Sequence, residues 1–356
     1  GKRTAGARMT KFRIGLTRDL VDADGRPSFG AEALAVLGQD PRVGWEVMGQ
    51  DAGEITPAAL AAYDALYIGL PRVTPASFAG NLQRTRIIAR HGVGFDTVDV
   101  GACTAHGVIL TIQPDGVRRP MAVVALTYVF ALSQKLLIKD RLTRAGRWAE
   151  KVNHMGRGLV GRTLGVIGAG NIGSEIIRLA QPFGLSVLAD DPYVEASVIE
   201  AAGARKVDFR TVMSQSDFVV VMCQLTQETR HLIGRAELAL MKPDAYLISI
   251  ARGPIVDEAA LTAALREGRI AGAGIDVFEQ EPVDPANPLL AMQNVIVTPH
   301  ALCWTDQCFR GIAESGFEGI LAAFSGTVPR GVVNRDVLED RGLKEWLAAN
   351  AAAGRG

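Results

Sequence analysis

The sequence has little cysteine and no excess of charge of either sign. Only four cysteines occur among 356 residues, and no two of them form a C-x-x-C pair. We therefore expect neither a disulfide framework nor a metal site, and we expect reduced thiols, as in the cytoplasm. Lysine plus arginine and aspartate plus glutamate number 38 each, so the charge balance predicts no nucleic acid or acidic membrane surface as partner.

Long apolar runs are also missing. The longest, Met121 to Leu132, is shorter than the ~18 residues that span a bilayer, so it predicts a buried helix. Gly1–Arg8 is small and basic and lacks the apolar run of a secretory signal. We therefore predict a cytoplasmic protein with no membrane contact. At 356 residues, 48% of them hydrophobic, the chain is long enough for two packed domains.

One glycine-rich turn organises the second half of the chain. Thr163–Ile167 is a short apolar run typical of a buried parallel strand, and the sequence then reads Gly168-Ala169-Gly170-Asn171-Ile172-Gly173, with the G-x-G-x-x-G spacing. In a dinucleotide site the first glycine permits the tight turn, the second lets a pyrophosphate approach, and the third lets helix and strand pack closely. The N–H groups at the helix start would hold the anion.

An acidic pair follows the next strand candidate. Leu185–Ala189 ends in Asp190-Asp191, about 20 residues beyond the glycines, where a carboxylate that binds ribose is expected. The residues directly after it, Tyr193-Val194-Glu195, offer no arginine or lysine for a 2′-phosphate. We therefore predict that Asp191 binds NAD rather than NADP. An ordinary strand–turn–helix with a surface aspartate is the alternative interpretation.

Alternating strand and helix patterns run through both halves of the chain and predict two α/β domains, each with a doubly wound parallel sheet. Strand candidates of the first domain begin with Lys11–Leu16, and six more lie between Thr163 and His300. We predict a first, discontinuous domain of residues 10–115 and 305–335. A Rossmann domain would then cover residues 116–304, followed by a C-terminal extension, residues 336–356.

Three polar side chains follow strand candidates of the Rossmann domain: Arg252, Glu281 and His300. Ligands of such sheets bind beyond the carboxyl ends of the strands, so all three residues could face one crevice. A guanidinium can clamp a carboxylate, a histidine can exchange a proton near neutral pH, and a carboxylate can orient that histidine. Taken singly, each residue is equally compatible with a structural role.

Several separate motifs resemble the D-isomer-specific 2-hydroxyacid dehydrogenases. They are Gly92–Asp96, Leu225–Arg230, Ile250–Glu258, Gly274–Pro282 and Asn294–His300, in the order that this family has. The resemblance implies that Arg252, Glu281 and His300 are catalytic. It also implies a flavodoxin-like substrate-binding domain built from both chain ends, and a homodimer. The expected activity is the NAD-dependent interconversion of a D-2-hydroxy acid and its 2-keto acid.

The resemblance also implies which residues contact the ligands. Contacts to NAD are expected from the three motif glycines and from Asn171, Ile172, Asp191, Cys223, Thr229, Ile250, Ala251, Arg252, Asp276 and His300. Substrate contacts are expected from Arg252, from His300, and from the backbone N–H groups of Val93 and Gly94. Arg72 is a further candidate for the substrate site.

The sequence departs from the family pattern at some positions. Val123 replaces the usual acid, Ile112 and Val117 replace polar residues, and Met222-Cys223-Gln224 differs from the usual His-x-Pro. These changes leave open a different class, an NAD-sensing binding protein like the corepressors built on this fold, without significant turnover. Phosphite oxidation also stays open, as do the identity of the 2-hydroxy acid and the direction of the reaction.

Overall fold

The computed structural model describes residues 12–49 and 53–353. The chain forms two compact units. The first unit contains the described residues up to Val117 together with those from Thr305 onward, and the second contains Arg118–Trp304. The predicted first strand began at Lys11, which lies outside the described residues.

Twelve strands are present in the described residues, and most of them are short apolar runs. In chain order they are β1 (Phe12–Leu16), β2 (Val43–Val47), β3 (Ala65–Ile68), β4 (Ile87–Arg90), β5 (Ile109–Thr111), β6 (Thr163–Ile167), β7 (Ser186–Asp190), β8 (Arg205–Lys206), β9 (Phe218–Val221), β10 (Tyr246–Ser249), β11 (Gly272–Ile275) and β12 (Val295–Val297).

Eleven α-helices connect or cover these strands in the same residues. They are α1 (Pro57–Ala62), α2 (Val100–Ala105), α3 (Pro114–Ser133), α4 (Leu136–Arg144), α5 (Asn171–Ala180), α6 (Ala196–Ala202), α7 (Phe209–Gln215), α8 (Arg235–Leu238), α9 (Glu258–Arg266), α10 (Asp306–Phe324) and α11 (Arg341–Ala353). Ala31–Gln39 is a 3₁₀-helix.

The first unit is built on a parallel five-stranded sheet in the order β2-β1-β3-β4-β5. This is the flavodoxin-like order. The strands are apolar on both faces because both faces are covered: β3 is fully buried, and α10 packs Phe317 and Phe324 against it and its neighbours. Residues from the two ends of the chain therefore share one core.

The second unit has a parallel seven-stranded sheet in the order β12-β11-β10-β9-β6-β7-β8. The strand order reverses beside β6, which carries the glycine motif, as in a dinucleotide-binding domain. The predicted fold class, two α/β domains with doubly wound parallel sheets, is confirmed. The seventh strand, β8, was not predicted, since two basic residues carry no apolar signal.

The C-terminal residues form part of the first unit. The predicted separate extension, residues 336–356, contains α11, whose Leu343 is fully buried and whose Trp346 packs edge-on against Phe12 and Phe324. Aromatic burial therefore attaches this segment to the first core; residues 354–356 lie outside the described residues.

Helix α3 contains the longest apolar run. Its predicted part, Met121–Leu132, supplies buried residues to the core of the second unit, among them Ala125 and Val129. Across the described ranges no single helix is long and apolar enough to cross a membrane, and one bent pair, α3 with α4, passes that test by length and composition only.

Candidate active site

The predicted site residues of the second unit lie at one edge of its sheet. Asp191 follows β7, Cys223 follows β9, Arg252 follows β10, Asp276 follows β11 and His300 follows β12. Because all seven strands are parallel, their carboxyl ends share this edge. The glycine turn after β6 lies there as well.

The glycine turn fits the backbone requirements of a dinucleotide site. Gly168 has φ +95°, and a Cβ there would lie 2.6 Å from the backbone nitrogen of Cys223. A Cβ at Gly173 would lie 2.0 Å from the Gly168 carbonyl oxygen, whereas one at Gly170 would meet nothing within 4 Å. Gly170 precedes α5, and no side chain caps that helix start. The turn is therefore closed toward the protein and open at the position where a pyrophosphate approaches.

Asp191 fastens the two turns of the nucleotide site together. Its Oδ2 accepts the N–H of Ala169 at 2.9 Å, and its Oδ1 accepts those of Tyr193 and Val194. The carboxylate is buried, yet each oxygen has more than one lone-pair site, so a ribose hydroxyl can still donate to it. The residues present at this turn therefore fit NAD.

A lysine near this carboxylate was missed from the sequence. β8 pairs with β7, and Lys206 donates to the Val194 carbonyl at 2.6 Å. Burial, together with the charges of Asp191 and Asp208, raises the pKa of Asp190, and Lys206 counteracts this shift. The acidic pair is thus accompanied by one cation, Lys206, which lies beyond the residues 193–195 that the sequence analysis considered.

His300 and Glu281 form a hydrogen-bonded pair. Nδ1 of His300 lies 2.7 Å from Oε2 of Glu281, and Oε1 of Glu281 accepts the N–H of Phe278 at 3.0 Å. The side chains are 44% and 37% exposed, so a ligand can reach them. His300 has φ +52°, an uncommon conformation for a residue other than glycine, and such strain is frequent at functional sites. One imidazole nitrogen is engaged by the carboxylate, which leaves Nε2 for another partner.

A second histidine–glutamate pair joins the loop of Glu281 to the segment between β9 and α8. Nε2 of His231 lies 2.8 Å from Oε1 of Glu279, and His231 also has a positive φ, +51°. The backbone N–H groups of Glu258 and Glu279 donate to each other's carboxylates, both at 3.0 Å. The sequence analysis did not single out this pair, since 48 residues separate its partners. It fastens the loop of Glu281 to the start of α9.

Asp276 lies at the end of a buried chain of hydroxyl groups. The Tyr128 hydroxyl lies 2.5 Å from Oγ1 of Thr298, which donates to Oδ1 of Asp276, also at 2.5 Å. The same oxygen accepts the N–H groups of Ala301 and Leu302, directly after His300. Burial raises the pKa of Tyr128 well above its ordinary value, so its hydroxyl stays protonated. Tyr128 within an apolar stretch of α3 was the signal for this network, because the hydroxyl of a buried tyrosine usually has a partner.

The other residues of the second unit that were predicted to contact ligands differ in burial and in hydrogen bonding. Arg252 is half-buried, and its Nη1 donates to the Ala251 carbonyl at 2.8 Å. Cys223 is half-buried, and burial raises the pKa of its thiol to about 11. The Thr229 hydroxyl donates to the Gln224 carbonyl at 2.6 Å within a turn. The residues Ile250 and Ala251 are both buried, which restricts contact between their side chains and NAD.

The predicted substrate residues Val93, Gly94 and Arg72 belong to the first unit. Val93 and Gly94 follow β4 and are half-buried, and no described residue accepts their N–H groups. The Arg72 side chain is exposed, while its backbone pairs with Gly53 and Ile55 in an isolated parallel β-bridge. In the ranges 12–49 and 53–353, no group of three or more histidine, cysteine, aspartate or glutamate residues could hold a metal ion.

Comparison with known proteins identifies close similarity to one family. The family description "D-isomer specific 2-hydroxyacid dehydrogenase, NAD binding domain" matches residues 126–301. Glyoxylate reductase from Thermococcus litoralis is 37% identical, with the match covering 72% of this chain and 80% of that protein. D-3-phosphoglycerate dehydrogenase from Archaeoglobus fulgidus is 35% identical over 78% of this chain and 52% of that one. The crystal structure of D-lactate dehydrogenase with NAD⁺ from Lactobacillus jensenii has a TM-score of 0.76, with 26% identity over 90% of this chain and 99% of that chain.

Proposed function

The chain belongs to the D-isomer-specific 2-hydroxyacid dehydrogenases and is an NAD-dependent oxidoreductase, and from this we propose that it interconverts a D-2-hydroxy acid and its 2-keto acid through Arg252, Glu281 and His300. The observation that carries the proposal is the His300–Glu281 pair, 2.7 Å apart at the strand edge that also holds the glycine turn. The T. litoralis relative is named a glyoxylate reductase, so a small 2-keto acid is the first substrate to test.

His300 is the proposed proton donor in reduction. Its Nδ1 faces Glu281, so Nε2 is the nitrogen that gives a proton to the substrate carbonyl oxygen as the carbonyl carbon is reduced. Glu281 orients the imidazole, and the Phe278 N–H holds that carboxylate in turn. In oxidation the same nitrogen takes the proton back.

Arg252 is the proposed clamp for the substrate. Its guanidinium is a planar fork of five N–H donors, a shape that matches a carboxylate and its neighbouring carbonyl. Nη1 of this group also donates to the Ala251 carbonyl. NADH, when bound, supplies the hydride. Val93 and Gly94 remain the proposed backbone donors to the substrate carboxylate, and Arg72 a further substrate contact.

NADH is the proposed physiological cofactor rather than NADPH. Asp191 is buried with both oxygens directed at backbone N–H groups, and Asp190 adds a second carboxylate beside it. A 2′-phosphate placed here would meet two like charges and one lysine, Lys206. The other proposed NAD contacts are the motif glycines, Asn171, Ile172, Cys223, Thr229, Ile250, Ala251, Arg252, Asp276 and His300.

The two histidine–glutamate pairs supply a matched test. His300→Asn and His231→Asn remove similar hydrogen bonds at residues with nearly equal φ, and asparagine tolerates that conformation. We expect His300→Asn to lower kcat by about 10²-fold or more, because loss of a general acid typically costs 10²–10⁴. His231→Asn should stay within about fivefold of the wild type by the same comparison. The assay follows NADH absorbance with glyoxylate, hydroxypyruvate, pyruvate and larger 2-keto acids, and with NADPH in parallel.

The controls separate catalysis from binding and from folding. The NADH dissociation constant and the melting temperature of both variants should remain near those of the wild type. Near-normal turnover by His300→Asn contradicts the assignment of His300. Tight NADH binding by the wild type with no turnover of any keto acid, hydroxy acid or phosphite would favour the NAD-sensing binding protein instead.

A homodimer and a cytoplasmic location complete the proposal. Apolar side chains are exposed on the second unit between α4 and β6, namely Trp148, Val152, Met155 and Val160. Several exposed apolar side chains within one short segment support the proposal that it packs against a second copy of the chain. Light scattering after size-exclusion chromatography tests the dimer, and a monomeric mass at micromolar concentration contradicts it.

A further inference from the structure

Arg90 joins two loops of the first unit at the carboxyl ends of β3 and β4. Its Nε donates to the Gly94 carbonyl at 2.8 Å, and its Nη1 donates to the Gly69 carbonyl. Gly94 belongs to the loop of the proposed carboxylate donors, and Gly69 begins the turn that contains Arg72. One guanidinium therefore connects the backbone of both loops that carry predicted substrate contacts in this unit.

The carbonyl contacts determine which way the peptide N–H groups point. The Gly92 carbonyl accepts the N–H of Gln113 at 2.8 Å, and Arg90 holds the Gly94 carbonyl. In a planar trans peptide the C=O and the N–H of the next residue point in opposite directions. The N–H of Val93 is thus turned away from Gln113, and that of Phe95 away from Arg90. No described residue accepts either N–H.

We propose that Arg90 is a positioning residue for the substrate carboxylate: by holding the Gly94 carbonyl it fixes the peptide that directly follows the two proposed donors, Val93 and Gly94. Gly92 has φ +126°, a conformation that glycine adopts readily and other residues rarely do, so a glycine starts this loop. This inference rests on the proposed function, in which Val93 and Gly94 bind the carboxylate.

An arginine is required by the geometry of the two contacts. The two carbonyls are reached by different nitrogens of one rigid, planar group, Nε and Nη1. A lysine keeps the charge but offers a single point of donation on a flexible stem. Arg90→Lys therefore separates the effect of loop geometry from that of charge.

The chain also offers a matched control at the other end of β4. Arg84 makes two hydrogen bonds to Asp64, from Nε at 2.7 Å and from Nη2 at 2.8 Å. Arg84→Lys breaks a two-point arginine contact in the same sheet, away from the Gly92–Phe95 loop. A purely structural role of Arg90 would make the two variants alike.

The first measurement is steady-state kinetics with a 2-keto acid that the protein reduces. The second is equilibrium binding of oxalate in the presence of NADH, because oxalate is a carboxylate probe that needs no turnover. For Arg90→Lys we expect KM and the oxalate dissociation constant to rise about tenfold, equal to about 1.4 kcal/mol, with kcat and NADH affinity nearly unchanged. Arg84→Lys should change the melting temperature only. Arg90→Gln, which can reach one carbonyl at most, should weaken oxalate binding further.

Each outcome bears on the inference. Equal oxalate affinity in the wild type and Arg90→Lys, or no oxalate binding by the wild type, overturns it. A wild type that binds oxalate more tightly than Arg90→Lys but turns over no acid supports the inference and contradicts the proposed function. Normal turnover with an unchanged KM in both Arg90 variants contradicts the inference alone.

Discussion

The buried pair Tyr67–His91 makes the stability of the first unit depend on pH. Tyr67 is fully buried on β3, and its hydroxyl lies 2.5 Å from Nδ1 of His91. The imidazole packs edge-on against Phe309, and its Nε2 is buried without a hydrogen-bond partner among the described residues. Burial, with a smaller contribution from the charge of Arg90, lowers the pKa of His91 from 6.5 to about 4.

The sign and size of the effect follow from this shift. Because the pKa is lower in the folded state, the unfolded chain binds the extra proton between pH 6.5 and 4, and unfolding becomes easier as the pH falls through that range. Above pH 6.5 the full contribution of neutral His91 to the free energy of unfolding is present. At 1.36 kcal/mol for each unit, His91 alone lowers the free energy of unfolding by about 2 kcal/mol at pH 5 relative to pH 8, and by about 3 kcal/mol below pH 4.

Urea denaturation of the wild type and of His91→Gln from pH 4 to pH 8 tests this. Glutamine does not titrate and can still accept the Tyr67 hydroxyl, so the variant should lose this part of the pH dependence, and the two curves should converge toward low pH. Tyr67→Phe is the control, since it removes the hydrogen bond but leaves His91 to titrate. Parallel curves for the wild type and His91→Gln would refute the reasoning, because other titrating groups are common to both proteins.

Two further predictions concern the second unit. Gly168→Ala should weaken NADH binding more than tenfold in a fluorescence titration, since its Cβ would lie 2.6 Å from the Cys223 nitrogen at a φ of +95°; unchanged affinity contradicts the cofactor site. Asp217→Asn should lower the free energy of unfolding by about 3 kcal/mol in urea, because it leaves the largely buried Arg157 without a charged partner on that side. Asp244→Asn, which changes the exposed partner of the same arginine, should cost less than about 1 kcal/mol, and equal losses would contradict this difference.

The fold was predictable from the sequence because parallel strands covered on both faces are nearly continuous apolar runs. β6 has the predicted bounds, and the strand predicted at Leu185–Ala189 is displaced by one residue, to Ser186–Asp190. Hydrogen bonding rather than hydropathy sets such ends. β8 escaped prediction because Arg205–Lys206 is polar and pairs only along one edge of β7. Lys206 was missed as a neighbour of the acidic pair for the same reason.

The contacts of the candidate site also separate into those that the sequence predicted and those that it did not. His300 and Glu281 were expected together because each follows a strand of one parallel sheet, so local sequence was enough to bring them to one edge. The His231–Glu279 pair depends on the path of two long loops, and its partners carry no periodic signal. Contacts between loops depend on backbone direction, which hydropathy does not encode. Motif similarity could predict the proposed reacting groups but not the residues that hold them.

The two histidine–glutamate pairs have different physical tasks although their distances are nearly the same. Oε1 of Glu279 accepts both His231 and the N–H of Glu258, so this carboxylate is used within the protein and fixes two loops. Glu281 has one backbone contact, and its other oxygen faces His300, whose second nitrogen is turned to a half-exposed surface. A hydrogen bond between a histidine and a carboxylate is therefore not by itself a sign of catalysis. The two histidines are similarly exposed, 44% for His300 and 40% for His231. What distinguishes His300 is its place after β12, at the strand edge that also holds the glycine turn, and the matched asparagine variants test whether that place makes it the proton donor.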